Sequence, residues 1–388
     1  MKADWKEYQL GDCVTLLSGG TPSKSRNDYW DGDLPWVSCK DMKVDRIYDG
    51  QDHLSPLGAE NGTRVVPEGT ILFVVRGMIL ANEFPVAISK RPVAFNQDLK
   101  AAICADFLET EFLYYWLKAN SYEILGRADE AGHGTKRIQT DRLLSLPIRI
   151  PSPLLQRQIA GVLSAYDDLI ENSQRRIKIL EEMARSLYRE WFVHFRFPGH
   201  DKVKMVPSPL GPIPKGWEVR KLGDIADISW GDTSTTKASY VEEGYAAYSA
   251  SGSDGKLDHY DFDRIGIVLS AIGAQYGKTW LARGKWSCIK NTIRFWSKDE
   301  SASTEFLFIA TEGQDFWPHR GAAQPFISQG DAERIDLLTP DRATMKRFTT
   351  FAAISLERIA TLQMQIHNLR RTRDLLLPRL LSGQVHLT

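Results

Sequence analysis

A chain of 388 residues, 43% of them apolar and eleven of them tryptophan, has ample material for packed cores and is not a disordered polymer. Forty-nine Lys and Arg balance forty-nine Asp and Glu, which excludes coating of nucleic acid by net charge but permits a local basic face. The four cysteines (Cys13, Cys39, Cys104, Cys288) are dispersed with no C-x-x-C pair, which argues against a disulfide framework or a cysteine zinc site and fits a reducing compartment.

Residues 1–150 read as a first domain of short strands and turns. Gly19-Gly20-Thr21-Pro22-Ser23 is a turn cluster, Leu34–Ser38 and the apolar run Gly69–Val75 read as strands, and Glu109–Asn120 as a short helix crowded with aromatics. LPIRIP, ending at Pro151, is a last brief strand.

Pro151 to Phe195 is the strongest helical signal. Ile159, Leu163, Tyr166, Ile170, Ser173, Ile177, Leu180, Ala184, Leu187 and Trp191 recur at spacings of three and four, a heptad seam. About 40 residues at ~1.5 Å rise make a rod of roughly 60 Å, and one apolar stripe on such a rod calls for a partner helix. The Pro-rich segment 197–216 follows as a linker. Residues 217–340 repeat the first domain's layout, with a Gly/Ser/Thr-rich turn (Gly231–Ser239), strands at Ile265–Leu269 and Thr292–Trp296, and a short helix at Thr304–Glu312. A second long helix lies within 341–388, and Pro378 predicts a kink or break near its end.

The partner helix is in the same chain. The interval that carries Pro151 onto Pro340 carries the first seam onto Phe348, Ala352, Ser355, Ile359, Leu362, Ile366, Leu369, Arg373, Leu376 and Leu380. Trp5-(x4)-Leu10-Gly11-Asp12 likewise matches Trp217-(x4)-Leu222-Gly223-Asp224. The chain is therefore a duplication of a domain followed by a long helix, in which the helices match and the domain interiors diverge. If the two copies are related by an approximate two-fold, the long helices pair antiparallel. They then carry two reading heads at a fixed separation. The expected seam contacts are Ile159, Ile170, Ile177, Leu180 and Leu187 with Ile359, Leu362, Ile366, Leu369 and Leu376. The runs around Arg175 and Arg370–Arg373 read as a solvated face.

No catalytic constellation stands out. Gly273-Ala-Gln-Tyr-Gly277-Lys278-Thr279 has three residues between its glycines where a phosphate-binding loop needs four. No His/Cys cluster, metalloprotease motif or methyltransferase Asn-Pro-Pro-aromatic tetrad is present. What remains suits reading of duplex DNA, which needs short donors and acceptors on loops with Arg and Lys beside them. The candidates are Thr21, Ser23, Lys24, Ser38, Lys40, Asp41, Arg76, Asn96 and Gln97 in the first domain, with Lys136 and Arg137 beside them. In the second they are Thr233, Thr235, Lys237, Ser270, Gln275, Tyr276, Lys278, Asn291, Thr292 and Gln324. Trp30 and Trp36 read as core.

GGTPS (19–23), LPWVSCKDM (34–42), EWFVHFRFPG (190–199), GWEVRKLGDIADIS (216–229), GAAQPFIS (321–328) and RDLLLPRLLSGQV (373–385) occur here in one order and spacing. In these the chain closely resembles, over essentially its whole length, the specificity (S) subunits of type I restriction–modification systems. The resemblance implies an α+β fold: two mixed α/β target recognition domains in pseudo-repeat, separated by two long helices that form an antiparallel coiled coil. It implies a non-catalytic subunit that reads a bipartite asymmetric target in double-stranded DNA. Two methyltransferase (M) subunits would dock on it and motor-nuclease (R) subunits would join them. No cofactor is expected in this chain, since S-adenosylmethionine would belong to the M subunit. A cytoplasmic protein without a membrane span is expected. By position, Ser270-Ala271 would stand where Arg76-Gly77 does. A subunit of a methylation-only complex and a coiled-coil scaffold are the alternative readings.

Overall fold

A computed structural model describes residues 5–132, 134–318 and 325–385. The chain divides into two compact units, Met1–Asn172 with Ile366–Thr388, and Ser173–Gln365. Each unit thus combines one globular domain with part of both long helices, α1 (Pro153–Tyr188) and α2 (Arg342–Leu381).

In the first unit, strand Lys6–Gln9 pairs antiparallel with Pro147–Ile150, tying the start of the domain to the residues that lead into α1. A five-stranded sheet runs in the order Val14–Ser18, Leu99–Cys104, Ile71–Val74, Val86–Ser89, Arg46–Ile47. A four-stranded sheet runs Asp52–Leu54, Leu34–Val37, Val93–Phe95, Arg64–Val66, with its central pair parallel. Ile71–Val74 is buried on both faces, so its continuous apolar run replaces the alternation expected of a half-exposed strand. Helix Thr110–Ala119 buries Phe112 through Leu117 in the same core.

The second unit repeats this plan. Glu218–Lys221 pairs with Asp336–Thr339. One sheet runs Ala226–Trp230, Thr292–Ser297, Gly266–Ser270, Thr279–Ala282; the other runs Gly252–Leu257, Tyr245–Ser249, Lys285–Cys288, Phe262–Asp263, again with a parallel central pair. Helix Thr304–Ala310 takes the place of Thr110–Ala119, and its N-cap Ser303 accepts from Phe306 N at 3.1 Å. The α+β class and the pair of mixed domains read from the sequence are what the structure has.

The long helices pair antiparallel within each unit. In the first, Ile159 and Leu163 share a core with Leu376 and Leu380, while Asp167, further along α1, meets Arg373, further back on α2. Ile170 is buried there, and Ile366 and Leu369 are buried and half-buried. In the second unit, Ile177, Leu180, Leu187 and Trp191 pack in one cluster with Phe348, Ala352, Leu356 and Ile359, and Leu362 is fully buried. Phe192 meets Phe348 edge-on at 4.9 Å between ring centroids.

Three features differ from expectation. Helix α1 stops short of Phe195: it passes into a π-helical turn at Arg189–Val193, and Phe195 takes a left-handed φ of 57°. A bidentate pair between Arg196 and Glu190 (2.6 Å for both bonds) holds that exit. The Pro-rich stretch is not bare linker. Met205–Val206 and Ile213–Pro214 form a small hairpin, and Phe197, Ile213 and Trp217 are buried in the second core. Helix α2 runs through Pro378 without a break, because Leu376, Leu377 and Leu380 are held on either side by the first unit's core. It ends instead at Gly383 (φ 73°), where Gln384 N donates to Arg379 O at 3.0 Å.

Candidate nucleic-acid interface

In the first unit, five segments meet at one edge of the domain. The Gly19-Gly20 turn lies directly on the backbone of the Phe95–Gln97 loop: Gly20 N donates to Phe95 O at 2.9 Å, and a Cβ at Gly19 would stand 2.1 Å from that carbonyl. Thr21 Oγ1 then reaches Gln97 Oε1 at 2.6 Å, and both residues are exposed. Asn96, by contrast, is buried, with its side-chain oxygen accepting from Asp98 N at 3.1 Å; it shapes the loop rather than facing out.

The carbonyl of Asp98 accepts from Val75 N (2.8 Å) and Arg76 N (3.3 Å), bringing Arg76 to the same edge. Cys39 Sγ donates to Arg76 O at 3.6 Å, and Arg76-Gly77 pairs antiparallel with Lys136-Arg137. Ser38 and Asp41 are occupied internally: one Asp41 oxygen accepts from Ser38 N and Oγ (both 2.9 Å) and the other from Gln51 N. Lys40 projects from that turn, exposed. Arg76, Arg137 and Lys40 are exposed and Lys136 half-buried. None of the four has an ion pair among the described residues. They make a local basic edge on a chain with no net charge.

Lys24, unlike these four, is paired. Its ammonium sits 3.5 Å from the centroid of Trp30 and 3.1 Å from Asp52. Trp30 and Trp36 meet edge to face and donate their indole N–H groups to Ser23 O (3.0 Å) and Gly20 O (2.9 Å). Both indoles are scaffolding under the Thr21–Lys24 turn. Ser23 Oγ is 2.8 Å from Ser25 Oγ.

The second unit has the corresponding edge with different side chains. Asp232 N donates to Cys288 O (2.8 Å), as Gly20 N does to Phe95 O. Asp232 accepts from Ser234 N (2.9 Å), Ser234 Oγ (2.7 Å) and Thr235 Oγ1, and these hydrogen bonds, the Thr235 one first, draw its pKa down to about 2. Thr233 is exposed beside them. Lys237 pairs with Asp254, which also accepts from Tyr240 Oη and Ser249 Oγ, each at 2.8 Å.

Hydrogen bonds also fix the correspondence between units. Ala271 N donates to Asn291 O as Val75 N does to Asp98 O, and Ile327 N donates to Ala271 O (2.9 Å) as Ile138 N does to Val75 O (2.8 Å). Ala271 therefore matches Val75, Ile272 matches Arg76, and Ser270 falls on the interior Val74. The sequence correspondence of Ser270 with Arg76 is corrected by this two-residue shift. Ser270 is fully buried, and its hydroxyl has no partner among the described residues. Thr292 is also interior, donating to Ile289 O at 2.6 Å. So is Tyr276, whose hydroxyl donates to Pro318 O (2.7 Å) and Trp317 O (3.1 Å). These three and Asn96 are buried: Asn96 and Thr292 hydrogen-bond within their own loops, Tyr276 anchors the distant backbone of Trp317 and Pro318, and Ser270 ends a strand buried on both faces. Gln275, Lys278 and Asn291 are exposed, the last with φ 72°. Gly273–Thr279 forms the hairpin turn between two strands. Gln324 lies outside the described residues.

Lys290, which the sequence reading passed over, occupies the place of Gln97 and is exposed, its N–H 3.3 Å from Thr235 O. No signal in the sequence marked it: the correspondence rests on strand register (Thr292 against Ser270, Leu99 against Val74), which pairs segments distant in the chain.

A family model described as "Type I restriction modification DNA specificity domain" matches residues 2–182 and 214–364, one match in each half of the chain. The MjaIX type I restriction enzyme specificity subunit of Methanocaldococcus jannaschii is 26% identical, over 98% of this chain and 94% of its own length. The EcoR124I/EcoR124II specificity subunit of Escherichia coli is 30% identical over about half of each chain, 51% of this one and 50% of its own. In structure, the S subunit of a type I restriction–modification system from M. genitalium aligns with a TM-score of 0.66 at 16% identity, over 100% of this chain and 97% of its own, a likeness of fold. Among the described residues no helix is long and apolar enough to cross a membrane.

Proposed function

The chain belongs to the type I restriction–modification DNA specificity family, as a DNA sequence-specificity subunit, and from this premise we propose that each unit reads one half of a bipartite, asymmetric duplex target. The carrying observation is that one backbone frame recurs in both units while the exposed side chains on its loop edge differ. Arg76, Arg137, Lys40, Gln97 and Thr21 form the edge in the first unit; Thr233, Gln275, Lys278, Lys290 and Asn291 form it in the second. Arginine pairs bidentately with guanine, glutamine and asparagine with adenine, and lysine with phosphate or guanine, so two such edges recognise two different base sequences. The recognition domains span about residues 1–150 and 217–340, with the long helices within 151–196 and 341–388.

In this reading the chain does no chemistry itself. Two methyltransferase subunits dock on the helices and bring their own S-adenosylmethionine, motor-nuclease subunits join that complex, and the assembly works in the cytoplasm. Exposed apolar side chains on α1 and α2, Ile179 and Met183 on one and Ile354 and Met364 on the other, are available for such docking. The test is adenine methylation mapped genome-wide in cells expressing the chain with its cognate methyltransferase subunit. A single motif of two short halves with a fixed gap is expected, and exchanging residues 217–340 should change one half only. A contiguous motif would overturn the two-part reading. No methylation with a demonstrably active methyltransferase would favour the scaffold alternative.

A further inference from the structure

In the first unit the helix pair carries a buried layer of charge where the second unit, among the described residues, has none. Asp167 on α1 and Arg373 on α2 pair directly, with side-chain exposures of only 7% and 13%. The Arg370–Arg373 run read as a solvated face, but Arg373 points inward. Tyr115 Oη donates to the second Asp167 oxygen at 2.7 Å. Asp45 lies 3.9 Å from the same guanidinium and pairs with Lys118, which also reaches Tyr114 Oη at 3.2 Å. Both long helices, the domain helix Thr110–Ala119 and the loop before strand Arg46–Ile47 therefore meet at one polar cluster. Burial first, and the neighbouring carboxylates second, raise the Tyr114 and Tyr115 phenols far above their ordinary range, so both stay protonated donors.

The counterparts in the second unit are apolar. The repeat interval carries Asp167 onto Leu356 and Ala184 onto Arg373. Matching ETEFLYYW (109–116) with STEFLFIA (303–310) carries Tyr114 onto Phe308 and Tyr115 onto Ile309. Ala184, Leu356 and Ile309 are buried in the second core, and Phe308 packs against it.

An apolar seam tolerates slippage, because a shift of one heptad still sets aliphatic side chain against aliphatic side chain. A buried carboxylate does not: Arg373 would keep the adjacent Asp374 in any register, but Asp167 would lose the one counter-ion it has among the described residues. We propose that the Asp167–Arg373–Tyr115 layer is a register key, positioning residues that select one alignment of the two long helices and hold the first recognition domain to it. The inference rests on the two-part reading above. It makes the first unit the source of uniqueness and the second a source of unspecific adhesion.

The experiment grafts the second unit's layer into the first (Tyr114→Phe, Tyr115→Ile, Asp167→Leu, Arg373→Ala) in the full chain, assembled with its methyltransferase subunits. Thermal midpoint and the methylated motif are measured together. The expected result is a midpoint no lower than that of the unaltered chain, with the single gap between half-sites replaced by two or more gap lengths. An equally stable graft that still methylates one motif with one gap overturns the proposal. Should the graft not fold, the volume-conserving set Tyr115→Phe, Asp167→Leu, Arg373→Met is read by the same two outcomes. A contiguous motif from the unaltered chain would instead remove the two-part reading itself, so the two failures are distinguishable.

Discussion

The two units share a backbone plan, yet place their polar groups in different layers. The first sets an ion pair and two tyrosine hydroxyls inside, against the long helices, and leaves Arg76, Arg137 and Lys40 on its loop edge without an ion pair among the described residues. The second has Leu356 and Ala184 in the helix layer and gathers its polar residues at the surface around Asp232 and Asp254. The difference shows how a duplicated domain diverges without losing its fold. The loop edge is built by backbone hydrogen bonds, such as those from Asp232 N to Cys288 O and from Gly20 N to Phe95 O, which are indifferent to the side chains they carry. Side chains on that edge can change while the frame stays.

The comparison can be broken most sharply at the helix layer. Arg373→Ala leaves Asp167 buried beside Tyr115 with no counter-ion among the described residues and is expected to cost about 3–5 kcal/mol in denaturant unfolding. A cost below about 1 kcal/mol would mean the layer is not a buried pair. Leu356→Ala at the equivalent layer of the second unit should cost roughly 2–5 kcal/mol through lost burial and the cavity left behind. There, Leu356→Met should restore most of the loss, whereas Arg373→Lys should not restore the first unit's pair, because lysine lacks the planar fork.

At the loop edge the effects should fall on binding. Arg76→Ala and Arg137→Ala are expected to leave stability within about 0.5 kcal/mol. Each should lower target affinity by about 1–3 kcal/mol if it reads a base. If it contacts phosphate, each should reduce the salt dependence of binding by about one counterion. Equal affinity and slope for both variants and the unaltered complex would remove this edge from the interface. In the second unit, Lys290→Ala should weaken binding while Ser270→Ala leaves the target unchanged. Ser270→Ala should also alter stability by no more than about 1 kcal/mol, since its buried hydroxyl has no partner among the described residues to lose.

The smallest effect is one of pH. Asp232 is depressed to about 2 by the hydroxyl and amide donors around it, against roughly 4 for a free carboxylate. A depressed carboxylate stabilises the fold fully above its unfolded pKa and loses that contribution as pH falls through its folded value. The Asp232–Thr235 turn should therefore hold from neutrality to about pH 4 and loosen progressively toward pH 2. Backbone amide shifts of Ser234 and Thr235 would follow that titration, and Asp232→Asn should abolish it.

Much of this architecture was legible along the chain. The duplication, the two long helices, the buried strands near Ile71–Val74 and Gly266–Ser270, and the aromatic helix at Thr110–Ala119 all announce themselves by period, repetition or an unbroken apolar run. Such signals are properties of order in sequence, and neighbouring residues suffice to produce them. The position of Pro378 misled, because the local cost of a proline says nothing of the core that grips Leu376 and Leu380 on either side. Tertiary structure alone decided that Ala271 and not Ser270 continues from the buried strand to the loop edge, that Tyr276, Thr292 and Asn96 face inward, and that Arg373 meets Asp167. Burial and register depend on segments distant in sequence coming to lie against one another, and a charge or hydroxyl reads the same in the chain whether water or another side chain will satisfy it.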